Sequence, residues 1–223
     1  MTPPFDAVVF DLDGTLVDTA PDLHAHLNAL LAELGRPGLA LAEIRPLIGD
    51  GARALLQRGL AASGGLPAGA DLEALFLEFV TRYTAQPVRF GAVYEDVAAV
   101  LDALQAEGAR LGVCTNKPQV PSERVLAALG LERYFPVVIG GDRLAVRKPD
   151  PGHLRAVLER LGARPARAVM VGDSATDLLT ARAAGVACVL VSFGYTPVPA
   201  AELGADRVID RMAALPDALA ALR

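Results

Sequence analysis

The chain has 223 residues, of which 52% are hydrophobic and 5% aromatic, and carries a net charge of −5. That length suits one large domain or two unequal ones and can bury a sizeable core. Scattered Lys and Arg residues exclude a basic nucleic-acid footprint, and no apolar run approaches the roughly 18–20 residues that a membrane span needs.

The opening residues, Met1-Thr2-Pro3-Pro4-Phe5-Asp6, lack a basic region followed by an apolar segment. Neither a secretory signal nor a transit peptide is expected, and a soluble cytoplasmic protein without nucleic-acid or membrane partners is. Ala7-Val8-Val9-Phe10 is short, apolar and rich in β-formers, which predicts a buried strand. It runs into Asp11-Leu12-Asp13-Gly14-Thr15. Alternate side chains of a strand share a face, so Asp11 and Asp13 start out pointing the same way, and Gly14 lets the chain turn away. Two carboxylates about 4 Å apart repel by roughly 4 kcal/mol at an effective dielectric of about 20. A cation between them is expected, with Mg²⁺ the economical choice for oxygen ligands. An ordinary Asx turn would use the same residue types.

The pattern then turns helical. Leu23, Leu27, Leu30, Leu31 and Leu34 recur at helical spacing, with Asp18 or Thr19 as cap, Pro21 in the first turn and Gly35 as the stop. His24 and His26, two apart on this helix, cannot grip one metal. A Gly49-Asp50-Gly51 turn precedes a helical segment near Ala52–Leu60, and Leu72, Leu75, Phe76, Phe79, Val80 and Tyr83 repeat the helical signature. The turn and the next residues fit G-x-G-x-x-A but follow no strand, so a dinucleotide site is rejected. Four helices without a strand predict an inserted all-helical cap domain over residues 16–89, with 1–15 and 90–223 forming the core.

Beyond Glu95, helices and strands alternate. Val97–Leu104 is helical up to Gly108, Leu111–Cys114 is a strand, and the helix through Val125–Leu129 stops at Gly130. Val137–Ile139 is a strand, Leu154–Leu161 a helix that starts near His153, and Ala168–Val171 a strand. A helix near Thr176–Ala184 leads to the strand Ala187–Val191. Apolar strands separated by such helices imply an α/β, Rossmann-like parallel sheet with helices on both faces, which the first strand joins. Cys114 and Cys188 lie in apolar runs and read as buried packing residues.

Ligands of open parallel sheets gather at the carboxyl ends of the strands. Those ends carry Asp11 and Asp13, then Thr115-Asn116-Lys117, then Gly172-Asp173-Ser174 with Asp177 four residues on; Lys148 stands in the Pro-braced loop Arg147–Pro151. Acids for a hard cation beside a hydroxyl, amides and an ammonium group suit a phosphate group. Each could instead be a turn, a helix cap or a solvated charge.

The order of these pieces resembles the haloacid dehalogenase-like hydrolase superfamily, and all four of its motifs are present: Asp11–Thr15, Thr115 with Asn116, Lys148, and Gly172–Ser174 through Asp177. Within it, Asp13–Leu23, Thr115–Pro118, Ile139–Asp142 and Ser192–Tyr195 are most similar to bacterial phosphoglycolate phosphatases. The sequence departs at Val93-Tyr94-Glu95-Asp96, where relatives usually carry Tyr-Pro-Gly. The resemblance implies a phosphomonoester hydrolase acting on a small phosphate ester, 2-phosphoglycolate above all, through an aspartyl-phosphate. It implies Asp11 as nucleophile, Asp13 as general acid and then base, and Mg²⁺ on Asp11, the Asp13 carbonyl and Asp173. Leu12, Thr115, Asn116 and Lys148 would hold the phosphoryl group, supported by Thr15 and Asp177. Arg53, with Arg45 second, is expected to read the substrate carboxylate. A sugar-phosphate phosphatase, a pyrophosphatase or a phosphosugar mutase shares this core, and a receiver-like signalling module shares the acids, Thr and Lys. A dehalogenase is disfavoured, since those relatives lack the acid at the position of Asp13.

Overall fold

A computed structural model describes residues 5–222; the reading of the chain's start rests partly on Met1–Pro4, outside the described residues. In chain order the elements are β1 (Ala7–Phe10), β2 (Val17–Asp18), α1 (Ala20–Glu33), α2 (Leu41–Ile44), α3 (Ala52–Ala62), α4 (Leu72–Ala85) and β3 (Ala92–Val93). Then follow α5 (Val97–Ala106), β4 (Arg110–Cys114), α6 (Gln119–Ala128), β5 (Val137–Ile139), α7 (Pro151–Leu161), β6 (Ala168–Gly172), α8 (Ala175–Ala184) and β7 (Ala187–Val191). The last are α9 (Ala200–Leu203), β8 (Arg207–Ile209) and α10 (Leu215–Ala220).

Six strands form one parallel sheet in the order β5-β4-β1-β6-β7-β8. Strands β1, β6 and β7 are apolar throughout because both faces are covered. Their period of two sends Val8 and Phe10 of β1 into one apolar layer with α5, α6 and α10, and Ala7 and Val9 into the other with α7 and α8. From β1 the chain builds outward through β4 to β5, then crosses back to add β6 on the opposite side of β1. That reversal opens a crevice at the carboxyl end of β1, where such sheets bind ligands.

Helices α1, α3 and α4 enclose a third apolar cluster of their own, centred on Leu27, Leu30, Leu31, Leu56 and Phe79. The sequence pattern predicts no strand within residues 16–89, yet Val17 and Asp18 form β2, which pairs antiparallel with β3, Val17 opposite Val93 and Asp18 opposite Ala92. Two residues are too few to show alternation. This ribbon stands where the chain leaves the sheet for the helices and returns. Asp22 reinforces the return: its buried carboxylate accepts hydrogen bonds from the backbone N–H groups of Arg89, Phe90 and Gly91 at 2.8–2.9 Å. Edge strand β8 also escaped the reading, having three residues, Arg207 and Val208 exposed.

Thr19 is the N-cap of α1, but its hydroxyl donates to Asp13 Oδ1 at 2.7 Å rather than accepting from the helix. His24 and His26 bond separately, to the Leu39 and Gln86 carbonyls. Cys114 and Cys188 are free and buried. Among the described residues no helix is long and apolar enough to cross a membrane.

Candidate active site

Asp11 follows β1 directly and is 5% exposed. Its Oδ1 accepts from the Leu12 N–H at 2.7 Å and pairs with Lys148 Nζ at 3.0 Å. Lys148, buried in the loop before α7, also pairs with Asp177 Oδ1 at 2.6 Å. Asp177 is fully buried at the start of α8, where Ser174 and Asp177 form a capping box. Asp177 Oδ2 accepts from Ser174 Oγ at 2.8 Å and from the N–H groups of Asp173 and Ser174 at 3.1 Å. Both Asp177 oxygens are therefore engaged, and its position fixes both Lys148 and the turn that carries Asp173.

Lys148 is held from its own backbone as well. Its N–H donates to His153 Nδ1 at 3.1 Å, which leaves Nε2 of a neutral imidazole to donate to the Ile139 carbonyl at 3.2 Å. Burial, with Lys148 nearby, lowers the His153 pKa to about 4.

Oxygens of Asp11, Asp173 and Asp177 lie within 4.8 Å of one another. Burial lifts the Asp11 carboxyl to about 6 against the pull of Lys148, with Asp177 and Asp13 adding to the rise. Burial, Asp177 and Asp11 hold Asp173 well above the usual carboxylate range. For Lys148, burial opposes the charge, but Asp11 and Asp177 outweigh it and keep the ammonium above the ordinary lysine value. The cluster has more negative charge than this ammonium can balance. An all-oxygen donor set with surplus negative charge fits a hard divalent cation such as Mg²⁺. The free oxygens belong to Asp11 and Asp173, since those of Asp177 are taken. Space around Asp173 depends on glycine: a Cβ on Gly14 would lie 2.6 Å from Asp173 Oδ2, and one on Gly194 2.4 Å. Gly14 also turns at φ +84, a conformation L side chains rarely adopt. The Tyr195 N–H donates to Asp173 Oδ2 at 2.7 Å.

Asp13 stands beside this cluster, its Oδ1 accepting from Thr19 and both its oxygens from Lys117 Nζ at 3.1 and 3.2 Å. Thr115 is buried after β4, where its Oγ1 accepts from the Lys117 N–H at 3.2 Å. Asn116 Nδ2 donates to the carbonyls of Lys148 and Gly49, tying the sheet to the loop before α3, while its Oδ1 is buried without a partner. The Thr15 hydroxyl is likewise buried and unpartnered. A pocket over Asp11 and Asp13 is lined by Leu23, Leu55, Tyr83, Thr115, Asn116 and Lys117, among others, and leaves about 20 Å³ open to water.

The structure thus brings together Asp11, Leu12, Asp13, Thr115, Asn116, Lys148, Asp173 and Asp177. It does not bring Arg53 to them: Arg53 pairs with Glu73 at 2.7 Å, lies over the Phe76 ring and is absent from the pocket lining. Arg45 pairs with Asp18 at 2.8 Å and lies over Tyr195. Lys117 and Tyr83 escaped the sequence reading as site residues. The first stands next to a motif residue, but its partner Asp13 is 104 residues away; the second reads as one more apolar position on α4.

Residues 5–185 match the family model for haloacid dehalogenase-like hydrolases. The chain is 47% identical over 215 residues to a phosphoglycolate phosphatase of Rhodospirillum rubrum, covering 95% of this chain and 89% of that protein. It is 46% identical over 211 residues to one from Caulobacter vibrioides, with the same coverage. Among solved structures, a predicted phosphoglycolate phosphatase from Haemophilus somnus superposes with a TM-score of 0.92 at 30% identity, covering 97% of this chain and 99% of that one. CbbY from Rhodobacter sphaeroides, solved in complex with phosphate, gives 0.81 at 29% identity, over 95% and 96% of the two chains.

Proposed function

The chain belongs to the haloacid dehalogenase-like hydrolases, and from that membership we propose that it is a cytoplasmic, Mg²⁺-dependent phosphatase that hydrolyses 2-phosphoglycolate through an aspartyl-phosphate. The observation that carries the reading is the placement of Asp11. Its carboxylate is held at 3.0 Å by a buried lysine and at 2.7 Å by a backbone N–H, inside a three-carboxylate cluster and beside a second acid, Asp13. The phosphoglycolate phosphatases among its relatives support the choice of substrate.

In the proposed reaction an Asp11 oxygen attacks phosphorus. The new O–P bond replaces the ester P–O bond, and Asp13 gives its proton to the departing alcohol oxygen. Asp13 then takes a proton from water as that water attacks the phosphorus, releasing phosphate and restoring Asp11. Lys148, Thr115, Asn116 and the Leu12 N–H hold the phosphoryl oxygens, and Asp177 and Thr15 support them. Asp11, the Asp13 carbonyl and Asp173 would hold Mg²⁺, which when bound neutralises charge on the carboxylates and the phosphoryl oxygens.

Residues 16–89 act in this reading as a cap on a core formed by 1–15 and 90–223. The separate apolar cluster of the helices and the double crossing at β2 and β3 support that division. The pocket over Asp11 leaves about 20 Å³ and a neighbouring cavity of about 260 Å³ reaches Asp13 and Asp173, so in this reading a shift of the cap over the site admits the substrate.

Phosphate release from 2-phosphoglycolate and a panel of other esters, with and without chelator, tests the proposal. Turnover should be greatest on 2-phosphoglycolate, stop with chelator and return with Mg²⁺. Asp11→Asn should lower it by about 10⁴-fold or more. Sustained release by that variant would refute the covalent mechanism.

A further inference from the structure

The proposed substrate has two anionic ends. One methylene separates its ester oxygen from a carboxylate that the phosphoryl-binding residues do not serve. Burying that carboxylate without a partner is strongly unfavourable, so the pocket needs a cation or hydroxyl near the leaving-group side. Asp13 marks that side, because the acid that protonates the ester oxygen must touch it. Among the described residues, one basic side chain lines the pocket, that of Lys117. Its Nζ lies 3.1 and 3.2 Å from the two Asp13 oxygens and 5.2 Å from the centre of the Tyr83 ring. An ammonium has three donors, and Asp13 is the acceptor that Lys117 meets.

Tyr83 adds an independent observation. It is 3% exposed and lines the same pocket, yet its hydroxyl has no hydrogen-bond partner. A buried hydroxyl left unbonded destabilises the free protein, and a ligand oxygen would relieve that.

We propose that Lys117 and Tyr83 together form the subsite for the substrate's carboxylate. The inference rests on the phosphoglycolate reading above and names the groups that read the non-reacting end. Lys117 follows β4 on the sheet, whereas Tyr83 comes from α4, so the subsite exists only with the helices seated on the sheet. Recognition of the carboxylate is thereby coupled to closure. Arg53, engaged with Glu73 outside the pocket, takes no part.

The test compares kcat/KM for 2-phosphoglycolate with that for 2-hydroxyethyl phosphate, in which a hydroxymethyl group replaces the carboxylate. Lys117→Met should reduce the preference of the parent enzyme for phosphoglycolate by about 100-fold, whatever common loss it causes through Asp13. Tyr83→Phe keeps the ring and removes an unsatisfied hydroxyl, so it should melt no lower than the parent and still lose about tenfold of the preference. Arg53→Ala should leave the preference intact. If the parent prefers phosphoglycolate and both Lys117→Met and Tyr83→Phe retain that preference, the subsite is refuted and the substrate reading stands. A parent with no preference refutes both.

Discussion

His153→Gln is expected to flatten the acid side of this protein's stability profile. His153 is fully buried, accepting from the Lys148 N–H through Nδ1 and contacting the Ile139 carbonyl through Nε2. A proton on Nδ1 would remove the acceptor that fixes Lys148, and burial lowers the pKa from 6.5 to about 4. The unfolded chain therefore binds this proton more readily than the folded one. Stability is unaffected well above pH 6.5 and falls as the pH drops from there toward 4, which amounts to about 2 kcal/mol between pH 7.5 and 5. Asp11, whose carboxyl is raised to about 6 by burial, acts with the opposite sign over part of the same range. It is common to both proteins, so the difference between them isolates the histidine. Glutamine offers an amide oxygen to Lys148 and an amide N–H to Ile139 without titrating. Urea unfolding of parent and variant across that pH range measures the effect. Parallel profiles would refute the assignment of a neutral, buried imidazole.

Two further substitutions probe the framework of the site. Lys148→Met leaves Asp11 and Asp177 facing each other without their shared ammonium, which should cost about 3–5 kcal/mol in denaturant unfolding; phosphate release should fall by about 10²-fold or more. Asp22→Ala strips the acceptor from three N–H groups, so a loss of about 2 kcal/mol is expected. It should also bring faster tryptic cleavage after Arg89, read by mass spectrometry, whereas unchanged proteolysis would mean that the carboxylate does not hold this return segment.

The sheet apart from β8 was legible because its inner strands are apolar on both faces and punctuated by glycines and caps; β1, β5 and β7 match their sequence bounds. The acids at the ends of β1 and β6 were legible for a related reason, since polar groups that interrupt a buried run need a purpose. What escaped depends on contacts distant in sequence. Lys117 meets Asp13 across 104 residues, and Tyr195, donating its hydroxyl proton to Asp18 at 2.7 Å, does so across 177. Periodicity carries no record of such pairs. Arg53 stands beside Gly51 and Ala52, which line the pocket, but its side chain pairs with Glu73, a direction that a sequence of helices does not show.

Most polar side chains of the site already have partners within the chain. Asp13 is bonded to Thr19 and Lys117, Asp11 to Lys148, and Asn116 to the Gly49 carbonyl. Tyr195 links both sides of the crevice, its N–H on Asp173 and its hydroxyl between Asp18 and the Ala20 N–H. A substrate must therefore exchange partners rather than enter an empty site. In the proposed reaction a phosphate dianion would compete for Lys148, and a carboxylate for Lys117. An ester lacking one anion would engage one of these ammonium groups and leave the other on its carboxylate. On the proposed mechanism, binding energy at the non-reacting end would release Asp13 from its ammonium partner, which is where that energy is most useful to the proton transfer.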